Sequence, residues 1–425
     1  MRGRHPACGR MTMEGNIAKM TPMLDGIKIV AFHHFLMGPL GVQFLADLGA
    51  DVVAVEQTDG AFQRHWSGGE SFVEGESMLF ACANRNKRSI ALNLRSDEGR
   101  EIAHRLIAQS HVVIENFRPG VMDRLGLGFE DAKKLRPDII YASATGYGVD
   151  GPYKERAGQD LLLQAISGLA AATGKGEGDA RAVGCSAVDH HGAALLANGI
   201  LAALVRHART GQGCRVEATL LGAAIDIQTE AIVAYLNSQH PPKSMRQEEY
   251  VSGWLMQAPY GIYPAADGHI ALSRVTLAGL AEVLECPELA QIGEHELFSR
   301  KGEISKLVAK HTTKFSVAEL EARLTSHDFW FAAVNDYGQM ACDPQVVAAG
   351  HITTIPSAAS GQPIRLTTHP VKYDGERPGI RLAPQPLGAQ SEEILNELGY
   401  SAQQTRALVE SGTVGMGTPL NDAAE

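Results

Sequence analysis

The sequence predicts an α/β fold: a parallel sheet with crossover helices, with a smaller α+β lobe beside it. Three observations predict it. From residue 26, short apolar runs alternate with amphipathic stretches, the pattern of strands joined by crossover helices. Residues 243–330 change texture, with Trp254, Tyr260, Gly261 and Tyr263 as punctuation and then two helical stretches, which marks the smaller lobe. At roughly 100–200 residues per domain, 425 residues leave room for both.

Ile27 to Phe32 reads as the first strand and Pro39 to Leu48 as the helix after it, with proline near the first turn, where a missing N–H costs nothing. Gly49-Ala50 ends that helix, and Asp51 to Glu56 is the second strand. Arg88 to Leu94 is the third. Ser96 can cap the next helix, with Asp97 and Glu98 in its positive first turn, and the helix closes near Gln109. His111 to Glu115 and Asp138 to Ala144 follow as strands four and five. Helices are expected over Gln159 to Ala172, Asp189 to Thr210 and Leu220 to Asn237, then near 276–285 and 303–326. Residues 361–386, rich in Pro and Gly, read as an extended connector, and Ser391 to Glu410 as a closing helix pair.

Composition narrows the function classes. With 38 Lys+Arg against 48 Asp+Glu the net charge is −10, and 44% of residues are hydrophobic. Disorder is excluded. The basic residues are scattered and the pI is about 5.9, so no nucleic-acid partner is expected. No run of about 18 uncharged apolar residues occurs, so no membrane partner is expected either. The six cysteines are far apart, with neither CxxC nor CxxxC, as in a reducing compartment. Residues 1–23 lack an apolar signal segment, which gives an expected cytoplasmic location.

The turn after strand one, His33 to Gly41, lacks the G-x-G-x-x-G spacing that brings backbone against a pyrophosphate, so NAD is disfavoured. No P-loop and no Gly-x-Ser-x-Gly elbow is present. The pairs His33-His34 and His190-His191 have no flanking metal-ligand spacing, and no metal is expected. Two loops could hold a phosphorylated ligand: the basic turn Asn84 to Arg88, and Glu115 to Gly126 at the end of strand four. Solvated side chains would explain both equally well. Asp189 opens the long Ala-rich helix, and the local sequence leaves two roles open to it, a helix cap or a working carboxylate.

Several segments taken together resemble the family III CoA-transferases. They are Leu24 to Ile29, Gly38-Pro39, Leu45 to Glu56, Asn86 to Ser89, Glu115 to Gly120 and Gly199 to Leu204, in that order, with Asp343-Pro344 and Pro386-Leu387-Gly388 later in the chain. Residues 1–23, ahead of the first patterned segment, read as an N-terminal extension, and the resemblance implies a large CoA-binding Rossmann-like domain from residues 24–222 and 335–425, a small α+β domain from 223–334, and an interlocked-ring homodimer. It implies acyl-CoA and a small carboxylic acid as substrates, with no covalently held cofactor. Asp189 falls at the family's nucleophilic aspartate. His34, Phe35, Arg95, Asn116, Phe117 and Arg124 fall at positions that contact CoA, and Asp160 at an acidic active-site position with Gln159 beside it. Where the racemase branch of the family carries a histidine base, this chain has Gln159, whose amide cannot act as the base that exchanges the substrate's α-proton. Ala157 and Gln57 stand where the formyl-CoA branch has basic residues. A silent acyl-CoA-binding protein on the same fold is the alternative from another class. His33, His34, Trp66, Trp254, Met256 and Tyr260 are expected in the substrate pocket wall.

Overall fold

The computed structural model describes residues 22–175, 179–238 and 248–416. Of the expected N-terminal extension, residues 1–21 lie outside the described residues.

Two compact units make up the described chain. One contains the chain up to Leu163, Ser186–Ile227 and the chain from Pro344 on; the other contains Gln164–Cys185 and Gln228–Asp343. Gln164–Cys185 falls inside the expected large domain but groups with the smaller unit.

The larger unit is built on a seven-stranded sheet. Its strands are β1 (Lys28–Phe32), β2 (Asp51–Glu56), β3 (Arg88–Leu92), β4 (Val112–Glu115), β5 (Ile140–Thr145), β6 (Cys214–Thr219) and β7 (Val414–Gly415), in the order β7-β3-β2-β1-β4-β5-β6. All neighbours run parallel except β7, which lies antiparallel to β3. The inner strands are apolar on both faces because helices cover both, and β1, β4 and β5 are almost wholly buried, whereas the edge strand β6 exposes Arg215 and Glu217. On one face Val30, Phe32, Val53, Val55, Ile90 and Val113 pack with Ile102, Leu106 and Ile107 of α2 (Asp97–Gln109) and with Ile394 and Leu395. Ser96 caps α2 as expected, its hydroxyl accepting from Gly99 N–H at 3.1 Å.

Strand order reverses between β1 and β4. Chain leaving β1 turns toward one side of the sheet and chain leaving β4 toward the other, which opens a crevice at their C-terminal ends. Phe32 and Glu115 are register partners there, so the loops after both strands start side by side. After β1 comes α1 (Met37–Asp47), which packs along α4 (Ala187–Thr210). By length and apolar composition α4 could cross a membrane. In this fold it instead packs on α1, β6 and α5 (Leu220–Asp226).

Several long helices expected from the sequence are broken. The stretch from Gln159 becomes α3 (Asp160–Ile166) and a short helix Leu169–Thr173, because Gly168 between them takes a left-handed φ of 89°. The stretch from Leu220 breaks at Gln228, and that from 303 breaks at Ser316. Ser316 caps the second piece, and the Glu319 side chain returns to the Ser316 N–H, so a local capping box outcompetes helix continuity. The presumed connector contains Pro363–Thr367, paired antiparallel with Ile352–Pro356. The smaller unit has its own three-stranded sheet and an apolar core around Tyr263, Ile270, Leu280 and Val308.

Candidate active site

The β1 and β4 loops are tied together by one side chain. Asn116 Oδ1 accepts from His34 N–H at 2.8 Å, and Asn116 Nδ2 donates to the His34 carbonyl at 2.9 Å. A methyl group on Gly38 would lie 2.8 Å from Asn116 Cγ, so glycine is required where α1 starts. The His34 ring stands edge-on to Phe117 at 5.3 Å and to Phe35 at 4.8 Å, and burial draws its imidazole below the usual value. Phe35 adopts a left-handed φ of 58°, rare for a bulky residue. Its N–H donates to Gln63 Oε1 at 3.0 Å, and its ring meets Phe62 at 5.3 Å, so Gln63 and Phe62 hold the strained turn open. Four of the expected CoA-contacting residues, His34, Phe35, Asn116 and Phe117, thus form one cluster at the switch in strand order.

Asp189 reaches the same end of the sheet through α4. One turn after it, Ala193 is buried with Leu36 and Leu40, which flank the start of α1. Asp189 is the third residue of its helix, not the cap. Ser186 occupies the cap position and makes no capping bond. The cap comes from α3: Asp160 Oδ2 accepts from the N–H groups of Val188 and Asp189 at 2.8 and 3.0 Å. Asp160 therefore satisfies two of the unpaired amides of the helix start, and the Asp189 carboxylate is released from that duty. Among the described residues its oxygens have no hydrogen-bond or ion-pair partner. Burial, reinforced by the charge of Asp160, pushes the Asp189 carboxyl up to about 7. The Val188 and Asp189 amides are not free to hold an oxyanion, since both donate to Asp160. Gln159 is exposed, with its carbonyl accepting from Leu162 and Leu163.

Arg124 lies on the turn Val121–Arg124 and lines a cleft of about 340 Å³ at the C-terminal ends of β4 and β5. Glu115 is in the wall of that cleft, buried, and burial pushes its carboxyl up to about 7 although Ser143 and the Phe117 N–H bond to it. Arg118, Lys154 and Arg215 line it too. Lys154 and Arg215 were not expected there; the available signal was a lysine in the Gly-rich turn following a parallel strand. Arg95 follows β3, two strands away from β1, and its exposed side chain has no partner among the described residues.

The basic turn Asn84 to Arg88 is neither a phosphate site nor a solvated loop. Arg85 is 2% exposed and forks onto Asp47, Nε to Oδ1 at 3.0 Å and Nη2 to Oδ2 at 2.7 Å, while Nη1 donates to the Thr367 carbonyl. Asn86 donates to Asp47 and accepts from the N–H groups of Arg381 and Leu382. Lys87 Nζ donates to the carbonyls of Pro39 and Ala83 and to Asn84 Oδ1. His33 is buried against it, Nε2 at 3.3 Å from Nζ, so it does not line a pocket as expected. Burial holds both Lys87 and His33 well below their usual values. Among the described residues no group of three or more His, Cys, Asp or Glu is placed to hold a metal.

A sequence profile described as CoA-transferase family III matches residues 24–391. An acyl-CoA transferase of Fusarium pseudograminearum is 32% identical over 408 residues, covering 92% of this chain and 88% of the relative. A succinate–glutarate CoA-transferase of Agrobacterium fabrum is 30% identical over 400 residues, covering 89% and 96%. Among solved structures, a CAIB/BAIF family protein from Brucella suis superposes with a TM-score of 0.77 at 30% identity, covering 88% of this chain and 99% of that one. The Rossmann-like strand order, the loop cluster at its switch point and these matches give one conclusion: the chain belongs to CoA-transferase family III.

Proposed function

We propose that the chain moves CoA from an acyl-CoA donor to a carboxylic acid acceptor, with Asp189 as covalent nucleophile. The observation that carries this is the Asp189 carboxylate, half-buried yet unbonded because Asp160 caps its helix in its place. A carboxylate stripped of hydrogen bonds is a better nucleophile than one holding a helix end. Asp189 Oδ attacks the thioester carbonyl carbon, the C–S bond breaks, and CoA thiolate leaves an aspartyl mixed anhydride. Thiolate then attacks the Asp189 carbonyl carbon and expels the donor acid, giving an aspartyl-CoA thioester. The acceptor carboxylate attacks that carbon, thiolate leaves again, and its attack on the acceptor's acyl carbon frees Asp189. Atoms and charge balance around the cycle, and no cofactor is consumed.

His34, Phe35, Asn116, Phe117, Arg124 and Arg95 are the proposed CoA-contacting residues. The first four are supported by their common cluster at the strand-order switch, and Arg124 by the neighbouring cleft. Asp160 is the proposed positioning residue for Asp189, and Gln159, whose amide is no general base, leaves transfer favoured over racemisation. The relatives' names put short dicarboxylic acids first among acceptors to be screened. A homodimer and a cytoplasmic location complete the proposal, the latter supported by the absence of disulfides among the five described cysteines.

Asp189→Asn and Asp189→Ala should lower CoA exchange by at least about a thousandfold while CoA still binds. Mass spectrometry of acyl-CoA products across mono- and dicarboxylates measures the exchange, and a variant that keeps its turnover overturns the mechanism.

A further inference from the structure

The basic turn Asn84 to Arg88 contains a buried lysine that, among the described residues, no carboxylate pairs. Lys87 is 2% exposed, and its Nζ donates to the carbonyls of Pro39 and Ala83, each at 2.7 Å, and to Asn84 Oδ1 at 3.0 Å. Glu56 and Asp47, whose charges act on it, are held by Arg64 and Arg85. Three oxygens within 3.0 Å take three N–H donors, which only the ammonium form has. These bonds therefore hold the proton that burial works to remove. An apolar side chain of similar length would carry no such desolvation cost, so packing alone does not account for a lysine here.

Lys87 reaches both ends of one turn. His33 follows β1, and its Nε2 lies 3.3 Å from Lys87 Nζ; Pro39, whose carbonyl takes a Lys87 N–H, is in the first turn of α1. Between them lie His34 and Phe35, the latter in the left-handed conformation that is strained for a bulky residue. Asn116 holds this turn at His34 and Gln63 holds it at the Phe35 N–H, each acting at one residue. His33 Nδ1 has no hydrogen-bond partner among the described residues, so the polar contact of the imidazole is with Lys87. Ala83, another anchor of the ammonium, packs with Leu36, Leu40 and Ala193, which joins Lys87 to the turn of α4 that follows Asp189.

We propose that Lys87 is a positioning residue for the CoA-transferase reaction: by joining His33 to Pro39 it fixes the shape of residues 33–39, and with it the presentation of His34 and Phe35 to CoA. The basic turn that reads as a phosphate loop in sequence thus serves the ligand through the backbone it braces. This role rests on the reading of His34 and Phe35 as CoA contacts and not on the Asp189 chemistry.

Amide hydrogen exchange and calorimetric CoA binding on the full chain test it, with wild type, Lys87→Met, Asn84→Ala and Asp47→Ala. Lys87→Met keeps the length of the side chain and removes its donors. Exchange at the His34 and Phe35 amides should rise about tenfold or more relative to the amides of β1 and β4, because those two amides are bonded only while the turn keeps its shape. CoA should bind about tenfold more weakly. In turnover the loss should fall on KM for acyl-CoA, with kcat changed by less than about threefold. Asn84→Ala frees one corner of the ammonium without touching the turn and should give the same changes at a smaller size. Asp47→Ala removes a different buried partner, so it should lower the midpoint of urea unfolding and leave both the exchange contrast and the CoA affinity as in wild type. An unchanged CoA affinity in Lys87→Met overturns the proposal, as does exchange that rises evenly across the sheet, which marks a lysine supporting the fold at large. Should Lys87→Met not fold, unchanged values in Asn84→Ala overturn it instead. Wild type that binds no CoA would defeat the CoA reading of the turn and this role with it, whereas turnover surviving in Asp189 variants would defeat the mechanism alone.

Discussion

At the scale of single residues, Asp189 and Glu115 are carboxyls that burial holds near neutrality. For each, the folded pKa of about 7 lies above the ordinary carboxylate value, so the folded state keeps a proton that the unfolded state has lost. Folding stability is therefore present at pH 4 and drains away as pH rises toward 7. For Asp189 the full drain is on the order of 4 kcal/mol. Asp189→Asn removes that loss, since an amide never ionises. The variant should be more stable than wild type at pH 8, by on the order of 4 kcal/mol, and nearly equal to it at pH 4. Urea unfolding at both values measures this, and an equal difference at the two would show that the carboxyl is not strained. Activity should run the other way, rising with pH through about 7 as the proposed nucleophile ionises, so the residue that costs stability is the one proposed to supply the chemistry.

At the scale of elements, the turn Asn84 to Arg88 joins the end of α1 to the returning C-terminal chain. Asp47 on α1 is nearly inaccessible, as is Arg85, and their fork carries Thr367 and Asn86 with it. Replacing Asp47 with Ala would leave a buried guanidinium unpaired, and breaking such a pair from one side costs about 3–5 kcal/mol. Asp47→Ala should lower the midpoint of urea unfolding accordingly, whereas Arg88→Ala should cost far less. Arg88 pairs with Asp51, Glu393 and Glu397, which are 42–57% exposed, and solvent screens such contacts. In sequence the two arginines look alike. The basic turn reads as a ligand loop because burial is a property of what packs over it, here residues 367–382, nearly 300 positions later.

At the scale of the whole molecule, the proposed homodimer gives a direct expectation: sedimentation at micromolar concentration should return near twice 45.4 kDa. A single 45.4 kDa species would remove the interlocked dimer from the proposal. The parallel sheet was legible without any structure. Asp51 to Glu56 matches its strand to the residue, and Ser96 its cap, because apolar runs and capping hydroxyls act within a few residues of themselves. The long helices were legible in place but not in continuity, since Gly168 and Ser316 break them through local backbone preferences that a run of apolar residues hides. The β7 edge strand, two residues long, gave no signal because only its pairing with β3 makes it a strand. By itself the sequence determined the fold class, the family and the candidate nucleophile. Only the tertiary structure decided that Asp160 caps the helix of Asp189 from 29 residues away, that Arg85 and Lys87 are structural, and that Lys154 faces the same cleft as Arg118 and Arg124. The physical reason is common to all three: desolvation and hydrogen-bond partnership are set by neighbours in space, which spacing along a chain does not record.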